Sequence, residues 1–146
     1  MARFSRLSCR TLALDSGNVI IHAELARAYA ALHRCAEAMN ELQFVPPTFP
    51  NFEGSARGSV PAACGRRAEA VAAIRDMEQR AAHGFVMASK IAIGFTALGE
   101  RDSAFAWLDR AAAQREWPIL ALGIEPVFAP LHGDPRFTRL QSLIHR

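Results

Sequence analysis

The stretch that decides the fold is KIAIGFTALGERDSAFAWLDRAAA, residues 90–113. Ile91, Ala92, Phe95 and Leu98 recur at the spacing of one face of an α-helix. Gly99 then stops that helix, glycine being the residue that most easily takes the left-handed conformation of a helix end. Asp102 and Ser103 open a second helix, whose stripe is Ala104, Phe105, Leu108 and Ala111. Trp117-Pro118 ends it, since proline lacks the N–H a helix interior needs and its ring clashes with the preceding turn. The stretch reads as two helices joined by a tight turn.

Its small alanine returns elsewhere. Ala38, Ala70 and Ala104 each follow a turn, and each has an aliphatic residue four places on: Leu42, Ile74 and Leu108. The intervals are 32 and 34 residues. A period of this length marks helix–turn–helix units that bury their apolar faces only by stacking on one another. The alanines let the two helices of a unit approach closely, because the side chains at the contact set the interhelix distance. Tyr29, Phe95 and Leu108 fill the space between units.

From this register the whole chain divides as one domain, 1–146. A repeat over 17–50 carries Leu25, Ala26, Tyr29 and Leu32, a turn near His33-Arg34, then Ala38, Met39 and Leu42 before Pro46-Pro47. A degenerate repeat over 51–84 has lost its first helix. Residues 45–64 hold Pro46, Pro47, Pro50, Pro61, Gly54 and Gly58 and read as an irregular loop. Helical signal resumes at Gly65-Arg66-Arg67 and runs through Ala70, Ile74 and Met77 to about His83, with Gly84 as the stop. The repeat over 85–118 follows. Residues 119–146 form a C-terminal cap, in which Asp134-Pro135 supplies an N-cap and a first-turn proline before the stripe Phe137, Leu140, Leu143, Ile144. Residues 1–16 read as a partial repeat, the end of a second helix, in preference to a targeting peptide. The chain thus opens in mid-repeat. The pattern lost and regained across 45–64 is what a fragment or a compensated frameshift leaves behind.

Composition narrows the function. A chain of 146 residues buries roughly 70% of its unfolded surface as a single domain. Apolar residues make up 51% and mean hydropathy is +0.05, but no run reaches the length that spans a bilayer. The net charge of +3 is set by Arg3, Arg6 and Arg10, which precede the first acid; from Asp15 onward 14 basic residues balance 14 acidic ones. A small basic nucleic-acid-associated protein is the alternative reading, and this confinement of the basic excess argues against it. Cys9, Cys35 and Cys64 are odd in number and far apart, with no Cys-x-x-Cys pair and no disulfide framework. That pattern points to a reducing, cytoplasmic setting. His22, His33, His83, His132 and His145 lack metal-ligand spacing, and no phosphate-binding loop or nucleophile elbow occurs. No catalytic residue, metal or cofactor is expected.

Leu25, Ala26, Tyr29, Ala38, Leu42 and Pro50 in the first unit, and Ile91, Ala92, Phe95, Ala104, Leu108 and Ala111 in the third, resemble the tetratricopeptide-repeat pattern. The middle unit keeps Gly65, Ala70 and Ile74, but Arg57 and Pro61 stand where Leu and Tyr belong. The stretch 65–146 is similar to the C-terminal repeat region of bacterial multidomain proteins of this family. The resemblance implies an all-α, short α-solenoid of antiparallel helix pairs, a non-catalytic scaffold for a protein or peptide partner. It further implies a groove lined by the first helices, with Ala23, Arg27, Ser89, Lys90 and Ile93 facing it. The family's Lys and Asn carboxylate clamp is replaced here by Ala23, Ser89, Arg27 and Ile93, so no such clamp is expected; Arg27 and Lys90 suit an acidic peptide. Repeat ends without a polar cap predict marginal stability or self-association through residues 1–45.

Overall fold

The computed structural model describes residues 19–46, 55–84, 86–116, 119–120 and 122–144. The partial repeat expected over 1–16 and the stop at Trp117-Pro118 lie outside the described residues. Among those described, every regular element is helical. They are α1 (Val19–Ala31), α2 (Cys35–Leu42), α3 (Ala56–Ala63), α4 (Arg67–His83), α5 (Ala88–Leu98), α6 (Arg101–Ala113), a 3-10 helix (Pro126–Leu131) and α7 (Pro135–Ile144).

The first six helices form three hairpins whose joints share one geometry. His33, Gly65 and Gly99 have φ of 60°, 74° and 79°. In each case the next residue's N–H reaches back to the carbonyl five residues before it: Arg34 to Tyr29 (2.9 Å), Arg66 to Pro61 (2.8 Å) and Glu100 to Phe95 (3.0 Å). This pairing closes a helix with its end carbonyls satisfied. The three joints repeat at the 32- and 34-residue intervals of the alanines, and Ala38, Ala70 and Ala104 are all fully buried. Glycine takes the left-handed conformation freely at two joints, whereas His33 takes it at a cost.

One expectation fails here. Residues 45–64 are not irregular throughout: 56–63 form α3, with Pro61 inside it. The second joint, at Gly65, is intact as well, so the helical pattern is kept, not lost, over this part. Local propensity is overridden by packing, because α3 lies against α1, α2, α4 and α5. Pro61 costs the helix one N–H, but its own carbonyl accepts from Cys64 and Arg66 and the helix ends two residues later. The glycine and serines that read as loop are buried at the contacts.

The cysteine expectation is also corrected. Cys35, the first residue of α2, is bridged to Cys64, which caps α3, with their Cα atoms 5.6 Å apart. Consecutive hairpins lie side by side, and that brings the joint at 32–35 next to the joint at 64–66. A separation of 29 residues hides the pair from any reading based on spacing.

Each hairpin's first helix also touches the next: α1 packs on α3, α3 on α5, and α5 on the 3-10 helix. The second helices α2 and α4 pack on the first helix that follows, and α6 packs on α7. The core falls into three clusters. One joins α1, α2 and α3 around Leu25, Ala26 and Val60. Another joins α5, α6 and the C-terminal elements around Phe105, Leu108, Phe128 and Leu140. Between them is a small cluster of Ile74, Met77 and Ile91.

Ile74 sits where three helices converge. A methyl group on Gly94 of α5 would lie 2.6 Å from its Cγ1 and 2.8 Å from its Cδ1. A methyl group on Gly58 of α3 would lie 3.2 Å from the same Cγ1 and 3.7 Å from the Gly94 Cα. The absence of two side chains therefore brings the α3 and α5 backbones together and leaves a notch for Ile74.

Helix propensity alone would make Gly94→Ala stabilising by about 1 kcal/mol. Overpacking against Ile74 should reverse the sign, to a loss of about 1–3 kcal/mol. In an Ile74→Ala background the same substitution should become neutral or stabilising. Urea unfolding of the four proteins checks this, and an equal cost of Gly94→Ala in both backgrounds would contradict it.

Candidate interaction surface

The groove-facing candidates are not on an open face. Ala23, Ser89, Lys90 and Ile93 are all buried, because α5 is enclosed from Ala88 to Gly94 by α3, α4, α6 and the 3-10 helix. Ser89 is engaged internally. The buried Glu116 carboxylate, just past α6, accepts from the N–H groups of Ala88 (2.6 Å) and Ser89 (3.1 Å) and from the Ser89 hydroxyl (2.7 Å). It supplies from outside the helix the cap that α5 lacks, placing negative charge at the positive end of the helix dipole. Arg27 is partly exposed, but its guanidinium donates to Glu24 (2.7 Å) and to the buried Ser55 hydroxyl (2.7 Å). Four of the five are buried and the fifth is bonded internally, so they do not line a common open groove.

The open concavity lies elsewhere, between α2 and α4 with α3 as its floor, and measures about 590 Å³. From α2 come Met39 and Leu42, with Gln43 just past its end, and from α3 Arg57 and Pro61. Its far wall is α4, whose Ala72 and Ala73 leave room beside Met77, with Glu69, Asp76 and Arg80 at the rim. Thioethers and aliphatic groups give a surface that adapts to apolar side chains. The rim charges are partly neutralised: Arg80 pairs with Asp76 at 3.0 Å, and Glu69 with Arg66 at 3.1 Å.

Arg57 organises one end of this cleft. Its Nη1 donates to the carbonyls of Leu42 (3.0 Å) and Val45 (2.5 Å), closing the C-terminus of α2, where a cation is favoured. Sequence reasoning missed Arg57 because it fell in the presumed loop. Met39 and Met77 were visible only as members of a helical pattern, and Ala72 and Ala73 were not singled out. The available signal was the run Ala-Val-Ala-Ala, residues 70–73, which puts small residues at exposed positions of a long helix.

Elsewhere several arginines on the surface pair with nearby acids. Arg34 bonds Glu37 at 2.5 Å and Arg67 bonds Glu100 at 2.7 Å. Near the C-terminus Arg136 grips Asp134 through Nε (3.1 Å) and Nη2 (2.9 Å), reaches Asp102 through Nη1 (2.8 Å), and lies 4.5 Å above the Phe105 ring. Asp134 also accepts from the Arg136 backbone N–H at 2.9 Å, which caps α7 as the sequence leads one to expect. The Arg136 side chain first, and then its backbone N–H, hold the Asp134 carboxyl down at about 2 from its ordinary 3.8. Asp134 and then Asp102 push the guanidinium above its usual value. Among the described residues no three His, Cys, Asp or Glu side chains gather as a metal site, and no helix is long and apolar enough to cross a membrane.

Because folding lowers the Asp134 value, its contribution to stability is present above the unfolded value of 3.8 and is lost as pH falls toward 2. Asp134→Asn keeps a capping oxygen and does not titrate. The stability advantage of the parent over this variant should therefore shrink steadily between pH 5 and pH 2, as read by urea unfolding. An advantage that stays constant over that range would contradict the pairing.

Comparison of the chain with family models, with curated proteins and with solved structures found no match.

Proposed function

We propose that this chain is a protein-interaction module of tetratricopeptide-like helix hairpins, a short solenoid that holds a partner without catalysing a reaction. The observation that carries the reading is the open cleft between α2 and α4, floored by Pro61 and walled by Met39, Leu42, Met77 and two alanines. Three hairpin joints at the repeat interval support the solenoid arrangement, as does the contact of each first helix with the next. The partner surface lies on the second helices, since the first-helix positions that the family resemblance nominated are buried or internally bonded. The suited ligand is an amphipathic helix, whose apolar stripe fits such a groove by i, i+3, i+4 anchors.

The nucleic-acid reading gains no support from arginines that are dispersed over several helices, many of them beside acids. Self-association has a footing in Ile20 and Phe44, each 48% exposed on the first hairpin. A cytoplasmic setting was inferred from cysteine spacing, and the Cys35–Cys64 bridge removes that ground.

A display selection of helical peptides against the intact chain tests the reading. Selected peptides should lose at least about tenfold in affinity with Ala72→Arg, since a charge forced into an apolar contact costs more than 1.4 kcal/mol. They should bind normally with Ala106→Arg, an exposed position on α6. Failure to select any peptide, or selected peptides indifferent to Ala72→Arg, would overturn it.

A further inference from the structure

We propose that Cys35–Cys64 is a reversible thiol–disulfide exchange site that fixes α2 on α3, and through them the cleft. α2 and α3 run antiparallel and are fastened at both ends. At one end the bridge joins the first residue of α2 to the cap of α3. At the other, Arg57 near the start of α3 holds the carbonyls of Leu42 and Val45. Met39 and Leu42 lie between these fasteners and line the cleft with Arg57 and Pro61. Both cysteines are half-buried, so a small thiolate can reach the sulfurs. α2 has only 8 residues, too few for an isolated helix to persist in water, so its order depends on what it is tied to.

The exchange balances with a dithiol as reductant. One of its thiolates bonds to the Cys64 sulfur, the bridge breaks, and Cys35 leaves as a thiolate at the N-terminus of α2, where the helix dipole favours negative charge. The second thiol then attacks the mixed disulfide and frees Cys64. The dithiol ends as a disulfide, and the protein has gained two electrons and two protons. Without the bridge, Arg57 is the remaining fastener of α2 to α3, and the N-terminal turn of α2 loosens from α3. The consequence for the cleft rests on the binding function proposed above; the exchange and the loosening of α2 do not.

The test uses the full chain with Cys9→Ser, so that every thiol counted belongs to the pair. The protein is equilibrated with reduced and oxidised dithiothreitol in varying ratio, quenched with a maleimide and weighed. Two maleimides should add together, at Cys35 and Cys64, while far-ultraviolet circular dichroism is unchanged apart from the small α2 signal. Amide exchange in α2 should accelerate about tenfold or more on reduction, with α6 unaffected. Cys35→Ser and Cys64→Ser, each made in the same background, should show the faster α2 exchange under oxidising conditions too. Two free thiols in the oxidised protein would overturn the proposal, as would opening only on global unfolding, or equal α2 exchange in both states. Affinity for a display-selected peptide, measured in both states, reads the cleft separately. A peptide that binds oxidised and reduced protein equally, yet is sensitive to Ala72→Arg, overturns the link to the cleft and leaves the binding function standing.

Discussion

Ile74 in the notch between Gly58 and Gly94 is the contact on which the rest of the fold depends. The two larger clusters of the core, one around α1 and α2 and one around α6 and the C-terminal elements, share no side chain. What lies between them is small: Ile74, Met77 and Ile91. So thin a cluster can bind two halves only if the backbones of α3 and α5 come close, and closeness requires that neither carry a side chain at the crossing. Dispersion attraction falls off steeply with a gap of even an ångström, so the two glycines do by removal what a larger residue could not do by filling. The same crossing positions α4 over α3 and so sets the floor and far wall of the cleft.

How much of this could be read from the sequence follows from which interactions are periodic. The hairpin joints were legible because they recur: His33-Arg34, Gly65 and Gly99 stand five residues before Ala38, Ala70 and Ala104, and that register held in the structure. The N-cap at Asp134 was legible because it is local. α3 was not. Gly58, Ser59 and Pro61 have poor helix propensity, and the reason they are helical is contact with four other helices, none of which leaves a mark on the segment itself. The Cys35–Cys64 pair and the Glu116 cap on α5 escaped for the same reason, each joining residues more than 25 apart, the first across two hairpins and the second across the two ends of one.

The candidate site shows the same division. A repeat pattern states which positions are helical and which face a neighbour, but not which face of the assembly is left open. Ala23, Ser89, Lys90 and Ile93 were correctly expected on first helices; their burial follows from how tightly α5 is wrapped. The cleft arose instead from a deficit on α4, where Ala72 and Ala73 stand opposite Met39 and Leu42. Arg57, where the resemblance leads one to expect a leucine, binds the carbonyls of Leu42 and Val45 at the C-terminal end of α2.

The claim most exposed to experiment is that the second hairpin joins both halves into one cooperative unit through the Ile74 crossing. Native-state amide exchange in increasing urea, with the disulfide intact, measures it directly. The slowest amides of α1 and of α6 should converge on a single opening free energy with the same urea dependence. Two separate limits, with α1 opening while α6 stays protected, would contradict the account.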